Sequence, residues 1–231
     1  MSGGVCALIL AAGSGHRMNL GQTKQRLILS GESILKRSIR IFNQASAIDS
    51  IIIVSRADEL DFAQSQAEGF DKVSKIVAGG QTRAESAKIG FSHVDENAEF
   101  VAIHDAARCF VTEENIDAVV ADAKRYGAAT ASTRIFDTVK RVDENMNIVS
   151  TINRNELIAV QTPQVCRVDI YKKALHAAVG TGVEYTDDNM LLENIGIHPH
   201  CTETGKYNVK ITTREDIDYA DFILSKDREG K

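Results

Sequence analysis

Short apolar runs of strand length alternate along the chain with segments whose apolar residues recur at helical spacing. The strand-like runs are residues 5–11, 51–55, 73–78, 100–104 and 128–133. The helical segments between them are residues 33–44, 58–67, 83–93 and 113–126, the last with Thr112 as its N-cap. Because a helical crossover returns the chain in the same direction, this alternation predicts a parallel sheet with helices on both faces.

Glycine-rich or charged segments follow three of these strands, at residues 13–24, 79–86 and 105–108. In open, doubly wound sheets, ligands bind beyond the carboxyl ends of the strands. We therefore expect the three segments to share one rim and to form one site. The predicted fold class is α/β, with a single Rossmann-like, mostly parallel sheet in one domain over residues 1–231.

A different pattern begins near residue 136 and continues to about 160. Two short alternating segments, 138–142 and 147–152, flank the turn-like residues 143–146, which predicts a β-hairpin arm. An isolated hairpin is marginally stable in water, so the arm needs a partner surface, most simply the same arm of a second subunit. We expect a homodimer formed through this arm. Helices near residues 168–179, 187–194 and 214–225 and a strand near 197–201 complete the pattern.

The composition of the 231 residues narrows the class of partner. A net charge of −5 and an isoelectric point near 5.7 disfavour a general nucleic-acid surface. Apolar runs stay below membrane-spanning length, and the first residues lack a signal-peptide pattern. The cysteines Cys6, Cys109, Cys166 and Cys201 are scattered without a Cys-x-x-Cys pair, which is typical of reduced thiols. We expect a cytoplasmic protein without nucleic-acid or membrane partners.

The first strand-like run leads into Ala11-Ala12-Gly13-Ser14-Gly15, followed by Arg17 and Lys24. Small residues expose backbone N–H groups and the two cations add positive charge, so the segment suits a nucleoside triphosphate. Met18 replaces the third glycine of a dinucleotide fingerprint, and no Gly-Lys-Ser/Thr of a P-loop follows. The alternative is an ordinary glycine-rich turn, which the offsets of Arg17 and Lys24 disfavour. The segment resembles the opening signature of nucleotidyltransferases that join an NTP to a phosphorylated sugar or polyol.

The second rim segment reads Gly79-Gly80-Gln81-Thr82-Arg83-Ala84-Glu85-Ser86 and opens a helix. Its glycines let the backbone approach a base closely, and Ser86 with the helix N-terminus supplies hydrogen bonds. The segment therefore suits the reading of a base. A plain strand-to-helix turn with Ser86 in a capping role is the alternative.

The third rim segment reads His104-Asp105-Ala106-Ala107-Arg108 and ends a strand. Its carboxylate and guanidinium are separated by small residues that leave room for a ligand. Asp105 is a candidate for holding a ribose or substrate hydroxyl or a metal-bound water, and Arg108 is a candidate for binding the substrate. The alternative is a structural ion pair between Asp105 and Arg108.

Seven short motifs follow one another over nearly the whole chain. They are GG-x-x-R-x-x-S (79–86), HDAAR (104–108), DT-x-K (137–140), RN (154–155), QTPQ (161–164), TDD (186–188) and N-x-K-I-T (208–212). With the opening loop, this ordered set resembles the 2-C-methyl-D-erythritol 4-phosphate cytidylyltransferase family of the non-mevalonate isoprenoid pathway. The resemblance implies transfer of CMP from CTP to methylerythritol phosphate, with release of pyrophosphate.

The resemblance also implies roles for single cations and for the arm. Arg17 and Lys24 would bind the triphosphate and stabilise the transition state, while Arg154 and Lys210 would position the polyol phosphate. Thr138 and Arg154 would reach from the arm into the site of the partner subunit.

For the nucleotide, the resemblance implies that Gly80, Gln81 and Ser86 read cytosine. Asp105 and Ala106 would then lie near the ribose and the substrate. Mg²⁺ would be held mainly by the CTP phosphates, with no protein ligand to the metal.

Two other functions stay open at this point. A ribitol 5-phosphate cytidylyltransferase shares the opening loop, Gln-Thr-Pro-Gln and Lys-Ile-Thr, although residues 106–107 and the pair 137–138 with 154–155 favour methylerythritol phosphate. The second is a catalytically silent nucleotide-binding protein, which the retention of all four cations disfavours.

Two positions depart from the family pattern. Thr23 stands where proline usually precedes Lys-Gln, and Cys109 stands where proline follows Ala-Ala-Arg. Since proline lowers loop entropy, we expect looser loops and weaker nucleotide binding with the chemistry retained. Residues 186–188 read as a helix N-cap with acids in the first turn, so we assign them no catalytic role.

Overall fold

The computed structural model of the chain describes residues 4–13 and 23–229. The strands are β1 (Gly4–Leu10), β2 (Ile28–Leu29), β3 (Glu32–Ser33), β4 (Ser50–Ser55), β5 (Val73–Ala78), β6 (Ala98–Asp105), β7 (Ala128–Arg134), β8 (Lys140–Val142), β9 (Ile148–Thr151), β10 (Ile158–Arg167) and β11 (His200–Glu203). Within the described residues, seven of them form a central sheet in the order β11-β7-β10-β6-β1-β4-β5.

The central sheet is mostly parallel, as the sequence predicts. Strand β1 pairs in parallel with β4 and β6, β4 pairs in parallel with β5, and β11 pairs in parallel with β7. Strand β10 is the exception, because it runs antiparallel to both β6 and β7. The sequence pattern did not predict this strand, and residues 158–160, which it placed in the arm, pair with β7 instead.

The helices are α1 (Ile34–Gln44), α2 (Leu60–Ala67), α3 (Arg83–Phe91), α4 (Glu113–Tyr126), α5 (Val168–Ala177), α6 (Asp188–Glu193) and α7 (Glu215–Glu229). Thr112 caps α4 as predicted, because its side chain accepts a hydrogen bond from the Asn115 N–H. Asp187 caps α6 in the same way by accepting from the Met190 N–H. The N-cap interpretation of residues 186–188 is therefore confirmed.

Helices cover both faces of the sheet, which confirms the predicted layering. On one face, Ile39 and Phe42 of α1 and Val119 of α4 belong to one buried apolar cluster with alternate residues of β1 and β4. On the other, Tyr171 of α5 and Leu191 of α6 belong to a second cluster with the remaining residues of those strands. Because successive strand residues point to opposite faces, a strand between two helical layers must be apolar throughout.

The hairpin predicted near residues 138–152 is present as the antiparallel pair β8 and β9. Its apolar side chains lie in solvent in this chain: Phe136 is 70% exposed, Met146 76% and Ile148 67%. Among the helices of the described residues, none combines the length and apolar character needed to cross a membrane.

Candidate active site

A cleft of about 630 Å³ lies at the carboxyl ends of β1, β5 and β6. Its lining includes Ala12 and Gly13 after β1, Gly79 and Gly80 after β5, and Asp105 at the end of β6. The three segments that the sequence placed on one rim therefore meet at one cleft. Other lining residues are Leu10, Lys24, Gln25, Arg56, Ala57, Asp58, Gln81, Thr82, Arg83, Ser86, Ala107 and Lys210.

The turn after β5 is built so tightly that it requires glycine. A Cβ on Gly79 would lie 2.7 Å from Ala12 Cβ and 2.7 Å from Ser86 Oγ, and one on Gly80 would lie 2.5 Å from Glu85 Cβ. Thr82 and Glu85 form a capping box at the start of α3, which fixes the helix beneath the turn. The bare backbone of residues 79–80 is therefore presented to the cleft by close packing.

Ser86 holds this turn from the inside. It is 2% exposed, its Oγ accepts a hydrogen bond from the Gly80 N–H at 3.1 Å, and its hydroxyl donates to the Thr82 carbonyl at 2.9 Å. Because the single hydroxyl proton is used inside the turn, Ser86 can offer a ligand only its remaining lone pair. It can accept a hydrogen bond from a base but cannot donate one.

Asp105 is the electrostatic centre of the cleft. Its Oδ1 accepts a hydrogen bond from Arg83 Nε at 2.9 Å and its Oδ2 accepts one from Lys210 Nζ at 2.6 Å. Burial opposes ionisation of this carboxyl, but Arg83 and Lys210 outweigh it and hold the pKa of Asp105 well below its usual range. The carboxylate is thus ionised at neutral pH, and it aims two cations at the cleft.

Arg83 also reaches a second buried carboxylate. Its Nη1 donates to Asp188 Oδ2 at 2.8 Å, and Tyr171 donates its hydroxyl to Asp188 Oδ1 at 2.6 Å. Burial disfavours the charged guanidinium, but Asp188 and Asp105 outweigh it and raise the pKa of Arg83. Arg83 therefore links the end of β6 to the start of α6. Sequence reasoning missed this role, although Arg83 is the single cation of the motif at residues 79–86.

His104 supports Asp105 from the core. His104 is fully buried and its Nδ1 lies 3.0 Å from Thr162 Oγ1, which accepts a hydrogen bond from the Asp105 N–H at 3.1 Å. Burial is the main cause that lowers the pKa of His104 to about 3. The neutral imidazole can therefore accept a hydrogen bond from the Thr162 hydroxyl and keep the backbone of Asp105 in place.

Lys24 lies beside the predicted phosphate loop. It begins the 3₁₀ turn Lys24–Arg26, and a Cβ built at Gly13 would be 3.7 Å from Lys24 Cε. Ala11, which belongs to the predicted nucleotide loop, is fully buried in the core and its N–H donates to the Val54 carbonyl, so the structure does not bring it to the cleft. The predicted residues Ser14, Gly15 and Arg17 lie outside the described residues.

Two residues of the third rim segment face away from the cleft. Ala106 is fully buried in the core, its N–H donates to the Leu10 carbonyl and its carbonyl accepts from the Ser38 hydroxyl, so the structure does not bring it to the cleft as predicted. Arg108 Nη1 donates to the Asn208 carbonyl at 2.9 Å, two residues before Lys210. The alternative of an Asp105–Arg108 ion pair is therefore wrong, because Asp105 pairs with Arg83 and Lys210 instead.

The arm residues are not brought to the cleft of their own chain. Thr138 and Arg154 are exposed and absent from the cleft lining, and Arg154 Nη1 donates to the carbonyl of Phe136 within the arm. The structure thus separates the predicted cations into two sets. Lys24 and Lys210 line the cleft, whereas Arg154 stands on the arm.

The cleft offers few groups to a resident metal ion. Among the described residues, no cluster of three or more His, Cys, Asp or Glu side chains could hold one. Both oxygens of Asp105 are engaged by cations, and Asp58 pairs with Arg56 at 2.7 Å. Mg²⁺ prefers oxygen ligands and commonly binds through substrate phosphates with few protein carboxylates, so the described donor set is compatible with an ion that the nucleotide carries.

Comparison with known proteins agrees with this geometry. The chain matches the family model of 2-C-methyl-D-erythritol 4-phosphate cytidylyltransferase (IspD) over residues 5–226. The protein of that name from Alkaliphilus metalliredigens is 37% identical over 230 residues, which cover 98% of this chain and 95% of the relative. The one from Caldanaerobacter subterraneus subsp. tengcongensis is 39% identical over 225 residues, which cover 96% of this chain and 99% of the relative.

Solved structures show the same similarity. A crystal structure of 4-diphosphocytidyl-2C-methyl-D-erythritol synthase from Anaerococcus prevotii superposes with a TM-score of 0.87 at 29% identity, over 97% of both chains. The Francisella tularensis 2-C-methyl-D-erythritol 4-phosphate cytidylyltransferase gives a TM-score of 0.79 at 30% identity, over 95% of this chain and 99% of that one. The chain therefore belongs to the 2-C-methyl-D-erythritol 4-phosphate cytidylyltransferase family.

Proposed function

We propose that this chain transfers CMP from CTP to 2-C-methyl-D-erythritol 4-phosphate and releases pyrophosphate. The observation that carries the proposal is the convergence of Lys24, Lys210 and the glycine backbone at residues 79–80 on one cleft. A triphosphate and a phosphate monoester are both polyanions, so a site that joins them needs cations for each. The cleft supplies one lysine beside the phosphate loop and another beside Asp105.

The reaction is an attack by an acceptor phosphate oxygen on the α-phosphorus of CTP, with pyrophosphate as the leaving group. The second pKa of a phosphate monoester is about 6, so the nucleophile is mostly a dianion at neutral pH. No general base is required. Catalysis by this chain then consists of aligning two polyanions and neutralising the charge that develops on the leaving group.

Asp105 sets the direction of Lys210 in this scheme. The 2.6 Å contact holds the ammonium at the end of β6, where an incoming phosphate would meet it. A buried carboxylate that already binds two cations is less suited to binding another ion than to orienting them. We propose that Lys210 positions the acceptor phosphate, and that Arg108 supports it by fixing the backbone at Asn208.

Base choice follows from the turn that Ser86 holds. Its remaining lone pair can accept a hydrogen bond from the exocyclic amino group of cytosine, whereas uracil presents an acceptor at that position. The tight packing of Gly79 and Gly80 also leaves a pocket of fixed width. We propose that Gly80, Gln81 and Ser86 read the base, with CTP preferred to UTP and strongly preferred to purine triphosphates.

Mg²⁺ is proposed as the counter-ion of the bound triphosphate. When bound, it would neutralise phosphate charge that Lys24 alone does not balance. Protein residues then bind the complex through the loop backbone and Lys24.

The arm is proposed as the dimer contact. Its exposed apolar side chains, including Phe136, Met146 and Ile148, form a surface that a second copy of the arm can cover. Thr138 and Arg154 stand on this arm and not at the cleft of their own chain, so we propose that they complete the site of the partner. The single-domain organisation over residues 1–231 and the cytoplasmic location expected from the sequence stay predictions.

The test is pyrophosphate release from CTP with each candidate acceptor. We expect turnover with methylerythritol phosphate at a kcat/KM well above that with ribitol 5-phosphate, and lower turnover when UTP replaces CTP. A preference for ribitol 5-phosphate would reject the proposed acceptor, but the proposed transfer of CMP from CTP would still hold. Absence of turnover with both acceptors would favour the catalytically silent alternative.

A further inference from the structure

Thr23 is held by a contact that a proline at this position could not make. Its hydroxyl lies 2.8 Å from Oε1 and 2.9 Å from Oε2 of Glu59, to which it donates. Glu59 is only 6% exposed, so this hydrogen bond to a carboxylate is largely shielded from water. The hydroxyl is not used as a cap for the turn that follows, because Thr23 makes no side-chain cap hydrogen bond.

The same carboxylate holds the other end of the turn. Arg26 Nε donates to Glu59 Oε1 at 2.8 Å, and its guanidinium lies 4.2 Å from the centre of the Phe62 ring. Thr23 and Arg26 flank Lys24, and the Arg26 N–H donates to the Thr23 carbonyl at 3.1 Å. Both ends of the turn that carries Lys24 are therefore tied to Glu59.

Glu59 adjoins one wall of the cleft. It ends the 3₁₀ turn Ala57–Glu59, whose Ala57 and Asp58 line the cleft together with Lys24. The Thr23–Glu59–Arg26 clasp thus joins two segments that are both in contact with the ligand space. Loss of the clasp would let Lys24 move relative to the wall formed by Ala57 and Asp58.

The backbone of Thr23 already has the conformation that proline imposes. Its φ is −72°, and the pyrrolidine ring fixes φ near about −65°. Threonine reaches the same conformation without that covalent restraint, and the clasp to Glu59 supplies the restraint from outside the residue. The sequence predicts a looser loop at this position. The hydrogen bonds that the Thr23 hydroxyl and Arg26 Nε donate to the buried Glu59 carboxylate oppose that loosening.

We propose that Thr23 is a positioning residue that acts through Lys24, and that its hydroxyl, held by Glu59, replaces proline in fixing the turn that presents Lys24 to the triphosphate. The inference rests on the proposed function, because it assigns Thr23 to the orientation of a lysine that binds phosphate. It adds Thr23, Glu59 and Arg26 to the residues that set the rate.

Three substitutions of Thr23 distinguish the contribution of its hydroxyl to kcat from the contributions of side-chain size and backbone restraint. Thr23→Val keeps the shape and removes the hydroxyl, so kcat should fall about tenfold while KM for CTP changes less than about threefold. Thr23→Ser keeps the hydroxyl, and Thr23→Pro restores the restraint without it, so both should recover most of the lost kcat. Thr181→Val removes a hydroxyl that, among the described residues, bonds to the nearby Ala178 carbonyl and Val183 N–H, and it serves as the matched control.

A second measurement tests whether Thr23 acts through Lys24. In a Lys24→Ala background, Thr23→Val should cause no further loss of turnover, because the group it positions is gone. Additive losses would show that Thr23 acts on turnover by another route and would overturn the proposal. Wild-type kcat in Thr23→Val, or equal loss in all three Thr23 variants, would also overturn it.

Hydrogen exchange gives a readout that does not depend on the assigned reaction. The Arg26 and Leu27 amides donate within the turn, to Thr23 and Lys24 carbonyls respectively. Their exchange should be faster in Thr23→Val than in the wild type and slow again in Thr23→Ser and Thr23→Pro. Unchanged exchange would reject the clasp. Absence of turnover by the wild type would reject the proposed function, and the exchange pattern would then still decide whether the clasp fixes the turn.

Discussion

Lys210 and Asp105 are 105 positions apart in the chain, yet Lys210 Nζ lies 2.6 Å from Asp105 Oδ2. The pair joins the carboxyl end of β6 to the segment between β11 and α7, and Arg83 completes it from α3. Three elements that are distant in sequence thus meet at one carboxylate. The negative charge of Asp105 stabilises this edge of the sheet and orients the side chains of Arg83 and Lys210 toward the cleft.

Replacing Asp105 with asparagine should therefore affect stability and turnover together. The substitution keeps the shape but places an amide NH₂ or a neutral oxygen against Arg83 and Lys210, which removes the carboxylate from Lys210 and leaves Arg83 with Asp188 alone of its two carboxylates. We expect the free energy of unfolding to fall by roughly 2–3 kcal/mol and kcat to fall by at least about tenfold. Urea denaturation and pyrophosphate release measure the two effects.

Asp58 provides the matched control for this experiment. It lines the same cleft, but its side chain is 65% exposed and pairs with Arg56 near the surface. Asp58→Asn should leave the urea midpoint close to that of the wild type, because a solvent-exposed ion pair contributes little to stability. Equal urea midpoints for Asp105→Asn and the wild type would contradict the central role of Asp105.

His104 predicts a specific loss of stability in acid. Burial lowers its pKa to about 3 in the folded chain, whereas an unfolded histidine titrates near about 6.5. Between these values the unfolded state binds a proton that the folded state does not, so stability falls as pH falls through this window. Full binding of that proton corresponds to about 1.4 kcal/mol per pH unit.

The comparison that isolates this effect is His104→Asn, which keeps a hydrogen-bond acceptor for Thr162 and cannot be protonated in this range. The stability difference between the wild type and the variant should shrink by about 1.4 kcal/mol for each pH unit from pH 6 to pH 4. Urea unfolding at intervals across this range measures it. Parallel pH profiles for the two proteins would show that His104 is not buried in its neutral form.

The elements that could be predicted from the sequence depend on local patterns. The strands that precede the three rim segments have apolar runs, and the caps at Thr112 and Asp187 act on residues three positions away. Strand β10 has neither signal, because Gln161, Thr162 and Gln164 are polar residues buried within it and Pro163 interrupts the pattern. Gln164 bonds Asp187 and the Asp188 N–H, contacts that only the folded chain creates.

The site likewise contains residues that local sequence patterns identify and contacts that only the folded chain creates. The glycine and lysine motifs could be recognised because their residue types suit phosphate at fixed spacing. The partners of Arg83 could not, since Asp105 and Asp188 lie 22 and 105 positions away. Electrostatic pairing across such separations depends on the strand order, which a single sequence does not contain. This is why Asp105 could be paired with Arg108 on sequence grounds, whereas the structure pairs it with Arg83 and Lys210.

Metal removal should separate activity from stability. If Mg²⁺ enters as the counter-ion of the triphosphate, EDTA should lower turnover by more than about a hundredfold, and added Mg²⁺ should restore it. The melting temperature of the nucleotide-free protein should not change with EDTA, because no metal then contributes to folding. A lower melting temperature in EDTA would indicate a resident metal and contradict this assignment.

The exposed arm predicts complementation between impaired subunits. Lys24→Ala and Arg154→Ala should each lower turnover by orders of magnitude without abolishing it, because each removes a cation that binds one of the two polyanions. If Arg154 serves the partner's cleft, a heterodimer of the two variants contains one site with both residues intact and one with neither. Random exchange makes half of the dimers mixed, so activity should recover to about a quarter of the wild-type value.

The converse mixture supplies the control. A chain that carries both Lys24→Ala and Arg154→Ala should inhibit the wild type in mixed dimers, because the wild-type site then lacks the partner's arginine and the mutant site lacks its own lysine. Native mass spectrometry measures the fraction of mixed dimers, and pyrophosphate release measures the active sites. If exchange occurs without recovery in the first mixture and without inhibition in the second, Arg154 does not act across the arm. Recovery and inhibition together would mean that each cleft works only with the arm of its neighbour, as expected for a side chain that the structure places on the arm and not at its own cleft.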